Sequence, residues 1–171
     1  IVLINNAEME PVQVTRPLYR ERFKAVEGPK LSEAELQPYV GVYQLGKQAK
    51  LTFVIREGGL WCKLSGQAFL PYLHEKKDVF FHRGVAARLI FGRDAGGAIT
   101  SVTLDQNNHK QVAKRLDEKA PDYLFRPAKE LEEFTGVYDF LPPDKVFTLE
   151  LRRGTLFVQL TGQPFFPLFE T

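Results

Sequence analysis

The chain has 171 residues, 44% hydrophobic and 26% charged, an ordinary globular composition with room for one large domain, or one domain and part of another. Its net charge of +2 is spread along the sequence, and the longest basic stretch, residues 110–115, is too thin for a nucleic-acid footprint. No apolar run approaches the ~18–20 residues that span a bilayer, no signal peptide is visible, and the single cysteine, Cys62, excludes an intrachain disulfide without fixing a compartment.

The chain opens on Ile1-Val2-Leu3-Ile4 with no methionine, as a processed chain or an excised fragment would. That run followed by Asn5-Asn6 has the pattern of a buried strand ending in a turn. Pro11 and Pro17 exclude one long helix across residues 7–23, but a short helix over Arg16–Phe23 with Pro17 in its first turn is expected. Ser32-Glu33-Ala34-Glu35 is a capping box, in which the serine hydroxyl and the glutamate carboxylate satisfy free amides of a helix start.

From Val40 the period changes to two. Leu51, Phe53 and Ile55 alternate with Thr52 and Arg56, and Leu60, Cys62 and Leu64 alternate with Lys63 and Ser65, as half-buried strands do. Further strands are expected at Ala68–His74, Val79–His82, Ala87–Arg93, Ala98–Asp105 and Lys110–Leu116. Turn chemistry at Gly58-Gly59, Asp94–Gly97 and Asn107-Asn108 separates them. Counting Val40–Leu45, this is about eight strands with short connections, enough to close into a small barrel without free edges. Residues 118–130, containing Glu118-Lys119-Ala120-Pro121-Asp122, then read as a linker.

Beyond that linker the chain repeats its own earlier sequence. Tyr39-Val40-Gly41-Val42-Tyr43 returns 95 residues later as Phe134-Thr135-Gly136-Val137-Tyr138. Arg56-Glu57-Gly58-Gly59-Leu60 returns 96 later as Arg152-Arg153-Gly154-Thr155-Leu156, and Leu64-Ser65-Gly66-Gln67-Ala68-Phe69-Leu70-Pro71 as Leu160–Pro167 with its Gly-Gln-x-Phe-x-Pro intact. The offset changes inside a turn, where an insertion is tolerated. The first copy occupies about 31–117 and the second, about four strands long, 131–171. The expected class is therefore all-β: an eight-stranded antiparallel barrel followed by half of another, with a short helix before each copy. A half barrel exposes an apolar face and two edges, so a protein partner or a second copy of the chain is expected to complete it.

Leu36-x-x-Tyr39-x-Gly41-x-Tyr43, the turn before Leu60, Leu70-Pro71, and Leu89-Ile90-Phe91-Gly92-Arg93-Asp94-x-x-Gly97-x-Ile99-x-x-Val102 together resemble a lipocalin-like barrel domain. That domain is appended to the C-terminus of bacterial serine hydrolases of the β-lactamase and penicillin-binding-protein type. Val2-Leu3-Ile4-Asn5-Asn6 is similar to the last core strand of those hydrolase domains, which makes residues 1–30 a remnant of a preceding domain plus linker. The resemblance implies a periplasmic, secreted or cytoplasmic accessory region, modulating substrate access or mediating assembly. The family's nucleophile sits in Ser-x-x-Lys, and the serine-led runs at Ser32, Ser65 and Ser101 do not match it, so no catalytic residue carries over.

The remaining side chains give no catalytic, cofactor or metal set. His74, His82 and His109 lack ligand spacing, and Glu132-Glu133 and Asp117-Glu118 read as solvated charge. Cys62 reads as a small apolar strand residue. Tyr43, Phe53, Phe69, Phe81 and Phe91 have the spacing of barrel filling, with Tyr43 also placed to line a small apolar ligand. Trp61 opposes Leu60 and Cys62 in parity and is expected to face outward as an interface anchor, with Phe157 in the matching place. Gln67 and Gln163 of the repeated motif are candidate ligand contacts or amides that satisfy a tight turn. The competing functions are a free-standing barrel for a small apolar ligand and a structural dimerisation module.

Overall fold

The computed structural model of the chain describes residues 26–84, 86–106, 109–140 and 144–170. The strand expected at Ile1–Ile4, the helix at Arg16–Phe23 and the turn at Asn107-Asn108 lie outside the described residues.

Ser32 starts the first helix as its motif predicts. Its Oγ accepts the Glu35 amide at 3.4 Å, and the Glu35 carboxylate takes the Ser32 amide at 2.8 Å. The helix α1 (Glu33–Leu36) passes into a 3-10 turn (Gln37–Tyr39) that drops Leu36 and Tyr39 into the core. Eight strands follow: β1 (Gly41–Leu45), β2 (Ala49–Arg56), β3 (Gly59–Leu64), β4 (Leu70–Lys76), β5 (Val79–His82), β6 (Ala87–Arg93), β7 (Ile99–Gln106) and β8 (His109–Arg115). Each pairs antiparallel with the next, and β8 returns to β1 with Tyr43 opposite Arg115, closing the barrel. After helix α2 (Ala128–Glu132), strands β9 (Gly136–Phe140), β10 (Lys145–Arg152), β11 (Thr155–Leu160) and β12 (Phe166–Pro167) make a separate four-stranded sheet in the order β12-β11-β10-β9. The chain is all-β, with two short helices among the described residues.

The duplication extends to individual bonds. Ser65 Oγ accepts the Lys50 amide at 2.9 Å, as Thr161 Oγ1 accepts that of Val146 at 3.0 Å. The β2–β3 and β10–β11 hairpins turn through Glu57-Gly58 (φ 54° and 65°) and Arg153-Gly154 (φ 51° and 74°). Two consecutive left-handed residues match the twist of the flanking strands, and glycine takes the second place without steric cost. Before each copy the backbone docks in the same way: Gly28 N–H donates to His74 O at 2.9 Å, and Leu124 N–H to Glu170 O at 2.9 Å.

The barrel is filled. Tyr43, Phe53, Phe80, Leu60, Leu89 and Val102 are fully buried, and Phe91 touches Tyr39, Tyr43, Phe53 and Phe80 edge-on at 4.8–5.9 Å between centroids. Two of the expected core aromatics are corrected. Phe80, not Phe81, enters the lumen, because β5 pairs with Phe80 opposite Leu89, whose side chain is on the core face of β6. Phe69 is buried outside the lumen, because the turn through Gly66 (φ 75°) delays β4 until Leu70 and leaves Phe69 in the preceding loop.

Candidate functional site

Phe69 marks the place where the two copies meet. Its ring packs edge-on against Tyr123, Phe125 and Phe169 at centroid distances of 5.1, 5.4 and 5.3 Å. Lys63, on the outward parity of β3, sets its ammonium 4.1 Å from the Phe169 centroid, 4.5 Å from Tyr123 and 5.3 Å from Phe69. Arg56, ending β2, lies between Trp61 at 4.7 Å and Phe125 at 4.6 Å. Stacking leaves guanidinium edges free for acceptors, yet Arg56 Nε is buried without a hydrogen bond, with Glu57 Oε1 at 3.3 Å as its nearest acidic oxygen. Cation–π contacts of this kind contribute about 0.5–2 kcal/mol each, more where water is excluded.

Beside this seam the concave face of the second sheet opens as a cleft of about 460 Å³. Leu131 and Phe134 from the α2 end, Leu156 of β11 and Leu168 after β12 form its apolar wall, with Arg126 and Glu170 on its rim. Glu170 takes Arg126 Nη2 at 2.7 Å, and that bond holds its carboxyl below the usual range. By the repeat offsets these four apolar residues correspond to Leu36, Tyr39, Leu60 and Tyr72, of which the first three are buried barrel core and the fourth packs against it. The cleft is thus the floor of a barrel core, open on one side.

The sequence-predicted residues are not brought together. Trp61 lies outside the lumen with its ring against Arg56, and Phe157 repeats the arrangement with Arg152 at 5.5 Å. Tyr43 is in the core, where burial pushes its phenol up to about 12 and its hydroxyl donates to Tyr39 O at 3.1 Å. Gln67 and Gln163 occupy the same turn in the two copies, their backbone N–H groups donating to Leu64 O at 2.9 Å and Leu160 O at 2.8 Å. Gln67 also borders the residual space in the barrel, about 90 Å³. Sequence patterning does not gather Lys63, Phe69, Tyr123, Phe125 and Phe169 as a group; its only signals of them are the outward parity of Lys63 and the aromatic alternation Tyr123-x-Phe125.

Other groups are accounted for by structure. His74 Nδ1 donates to Pro29 O at 2.9 Å, and His82 Nδ1 accepts the Gly84 amide at 2.8 Å while burial lowers its pKa. Cys62 is buried, which pushes its thiol far above its ordinary value. Among the described residues no cluster of metal-ligating side chains occurs, and no helix is long and apolar enough to cross a membrane.

No family model, curated protein or solved structure matches the chain. The class defined on these grounds is an all-β protein with a closed eight-stranded antiparallel barrel joined to a four-stranded sheet of the same repeat.

Proposed function

We propose that this chain is a non-catalytic accessory β region of a β-lactamase-like serine hydrolase, and that it works by assembly, its second sheet receiving a polypeptide partner. One comparison carries the reading. Tyr43 is 0% exposed in the closed barrel, whereas its counterpart Tyr138, on the same face of the open sheet, is 45% exposed. Phe134, Phe166 and Leu168 extend that apolar surface. Such a surface, with two strand edges beside it, is what an association site requires. A partner or a second copy of the chain seated there would also control access to a neighbouring hydrolase domain.

The packed lumen favours this over a small-ligand carrier. Pockets that hold a drug-sized molecule run from about 300 Å³ upward; the space among the inward residues Leu51, Cys62, Leu64 and Leu104 is about 90 Å³, and a cavity of about 300 Å³ lies at the barrel end between Phe80 and the Glu27–Leu31 segment.

Two experiments test the proposal. The reading frame upstream of the Ile1 codon is expected to encode a Ser-x-x-Lys hydrolase domain; an initiator codon there would sink the hydrolase assignment. Light scattering and an apolar dye test assembly. Dimers or dye uptake lost in Tyr138→Lys/Phe166→Lys are expected, and a dye-blind monomer at high concentration overturns it.

A further inference from the structure

The first copy contains a template for what occupies the second. In the barrel, the floor made by Leu36, Tyr39, Leu60 and Tyr72 is covered by Phe80 of β5 and Phe91 of β6. Both rings meet Tyr39 edge-on, at centroid distances of 4.9 and 4.8 Å. β5 lies along β4, with His74 opposite Phe80, and is held to β6 with Phe80 opposite Leu89 and Phe91 N–H bonded to Asp78 O at 2.8 Å. In the second copy the same floor borders the cleft, and β12, the counterpart of β4, is an edge strand.

We infer that the cleft is a docking site for an antiparallel strand pair of the β5–β6 type, which adds to the β12 edge and inserts two aromatic side chains over Phe134. This rests on the assembly reading above and specifies the partner within it. A strand pair fits better than a lipid or other apolar small molecule because a sheet edge offers backbone donors and acceptors that a hydrocarbon leaves unpaired. One detail narrows the occupant. Tyr39 sends its hydroxyl to Asp78 at 2.9 Å in the barrel, but its counterpart is Phe134, so the docked strand needs no acceptor at the Asp78 position. Its anchors are the two rings, and the acidic side chain that closes β5 onto Arg93 in the first copy is dispensable.

The probe is a head-to-tail cyclised peptide of residues 78–93 of this chain, fluorescently labelled and titrated against the full chain. Cyclisation is needed because an isolated hairpin is marginal in water, and it joins ends already close, since Asp78 and Arg93 are ion-paired at 2.7 Å. Saturable 1:1 binding is expected, with amide shifts in the NMR spectrum at Leu131, Phe134, Leu156 and Leu168. Phe80→Ala/Phe91→Ala in the peptide is expected to weaken binding at least about tenfold, while Asp78→Asn and the opposite-parity Phe81→Ala leave it within about threefold. In the protein, Phe134→Asp is expected to abolish binding; Phe134 is already 43% exposed, so the fold tolerates the charge. No saturation up to about 1 mM, or equal binding of the Phe80→Ala/Phe91→Ala peptide, overturns the inference. Self-association or dye uptake without hairpin binding overturns this occupant and leaves the assembly reading standing; absence of all three removes both.

Discussion

The Tyr43 hydroxyl donates to the backbone carbonyl of Tyr39 at 3.1 Å inside the barrel, and 95 residues later Tyr138 does the same to Phe134 at 2.9 Å in the open sheet. One bond in two environments separates the contribution of the bond from that of its burial. Tyr43→Phe removes a donor from a buried carbonyl and is expected to cost about 1 kcal/mol. Tyr138→Phe, where water replaces the hydroxyl, is expected to stay within about 0.5 kcal/mol. Denaturant unfolding of the two variants checks the difference, and equal losses would remove burial as its cause.

Alkali tests the same tyrosine differently. Burial raises the phenol of Tyr43 to about 12, and burial also lifts Tyr72 and Tyr39. The unfolded chain ionises its tyrosines near pH 10 while the folded barrel keeps these neutral, so stability is full below about pH 10 and falls as pH rises toward 12. A Tyr43→Phe chain is expected to lose less stability over that interval, read from thermal midpoints between pH 9 and 11.5.

At the acid end the group to watch is Asp78. Arg93 Nη2 approaches it at 2.7 Å and the Tyr39 hydroxyl donates to it at 2.9 Å, which together hold its carboxyl below the usual range. Its contribution is therefore present above the ordinary aspartate value, about pH 4, and is lost as pH falls through the lower folded value. Asp78→Ala leaves both partners without their shared acceptor and is expected to cost about 2 kcal/mol at pH 7. The deficit should shrink as wild type is acidified; a constant deficit from pH 7 to 3 would rule out the linkage.

The repeat was legible because turns are written locally. The Arg-x-Gly hairpins and the Gly-Gln turns need left-handed backbone at fixed places, and both copies keep glycine there. The outward parity of Trp61 could likewise be read from its neighbours. Phe69 and Phe80 could not. Phe69 is placed by rings at Tyr123, Phe125 and Phe169, far along the chain, and Phe80 by its pairing with Leu89 on the next strand, which alternation within the short run Val79–His82 does not encode. The sequence predicts an open half barrel but not a floor matching Leu36, Tyr39, Leu60 and Tyr72, because that match appears only once the register is known.

Cys62 offers a kinetic check on the barrel. Its side chain is 4% exposed and burial raises its thiol well above the ordinary range, so the reactive thiolate is scarce and inaccessible. Labelling by a thiol reagent at pH 8 is expected to follow barrel unfolding, accelerating with denaturant as global opening does. Reaction within seconds in native buffer would mean that β3 opens locally.

The seam between the copies is held by a cation whose charge can be removed without removing its stem. Lys63→Met keeps an unbranched apolar chain among Phe69, Tyr123 and Phe169 but loses the ammonium that lies 4.1–5.3 Å from their centroids. The loss is expected to be about 1 kcal/mol and to fall on the docking of the second sheet, because Lys63 points away from the lumen. Phe169→Ala removes a ring from the same cluster and should cost more, about 2 kcal/mol, since the seam is partly open to solvent. Hydrogen exchange resolves where the loss falls. Amides of β9–β12 and of residues 122–126 are expected to exchange faster in both variants while those of β1–β8 keep their wild-type rates. Equal acceleration in both sheets would show that the seam and the barrel unfold as one unit, in which case the aromatic cluster contributes to the barrel itself and does not merely attach the second copy.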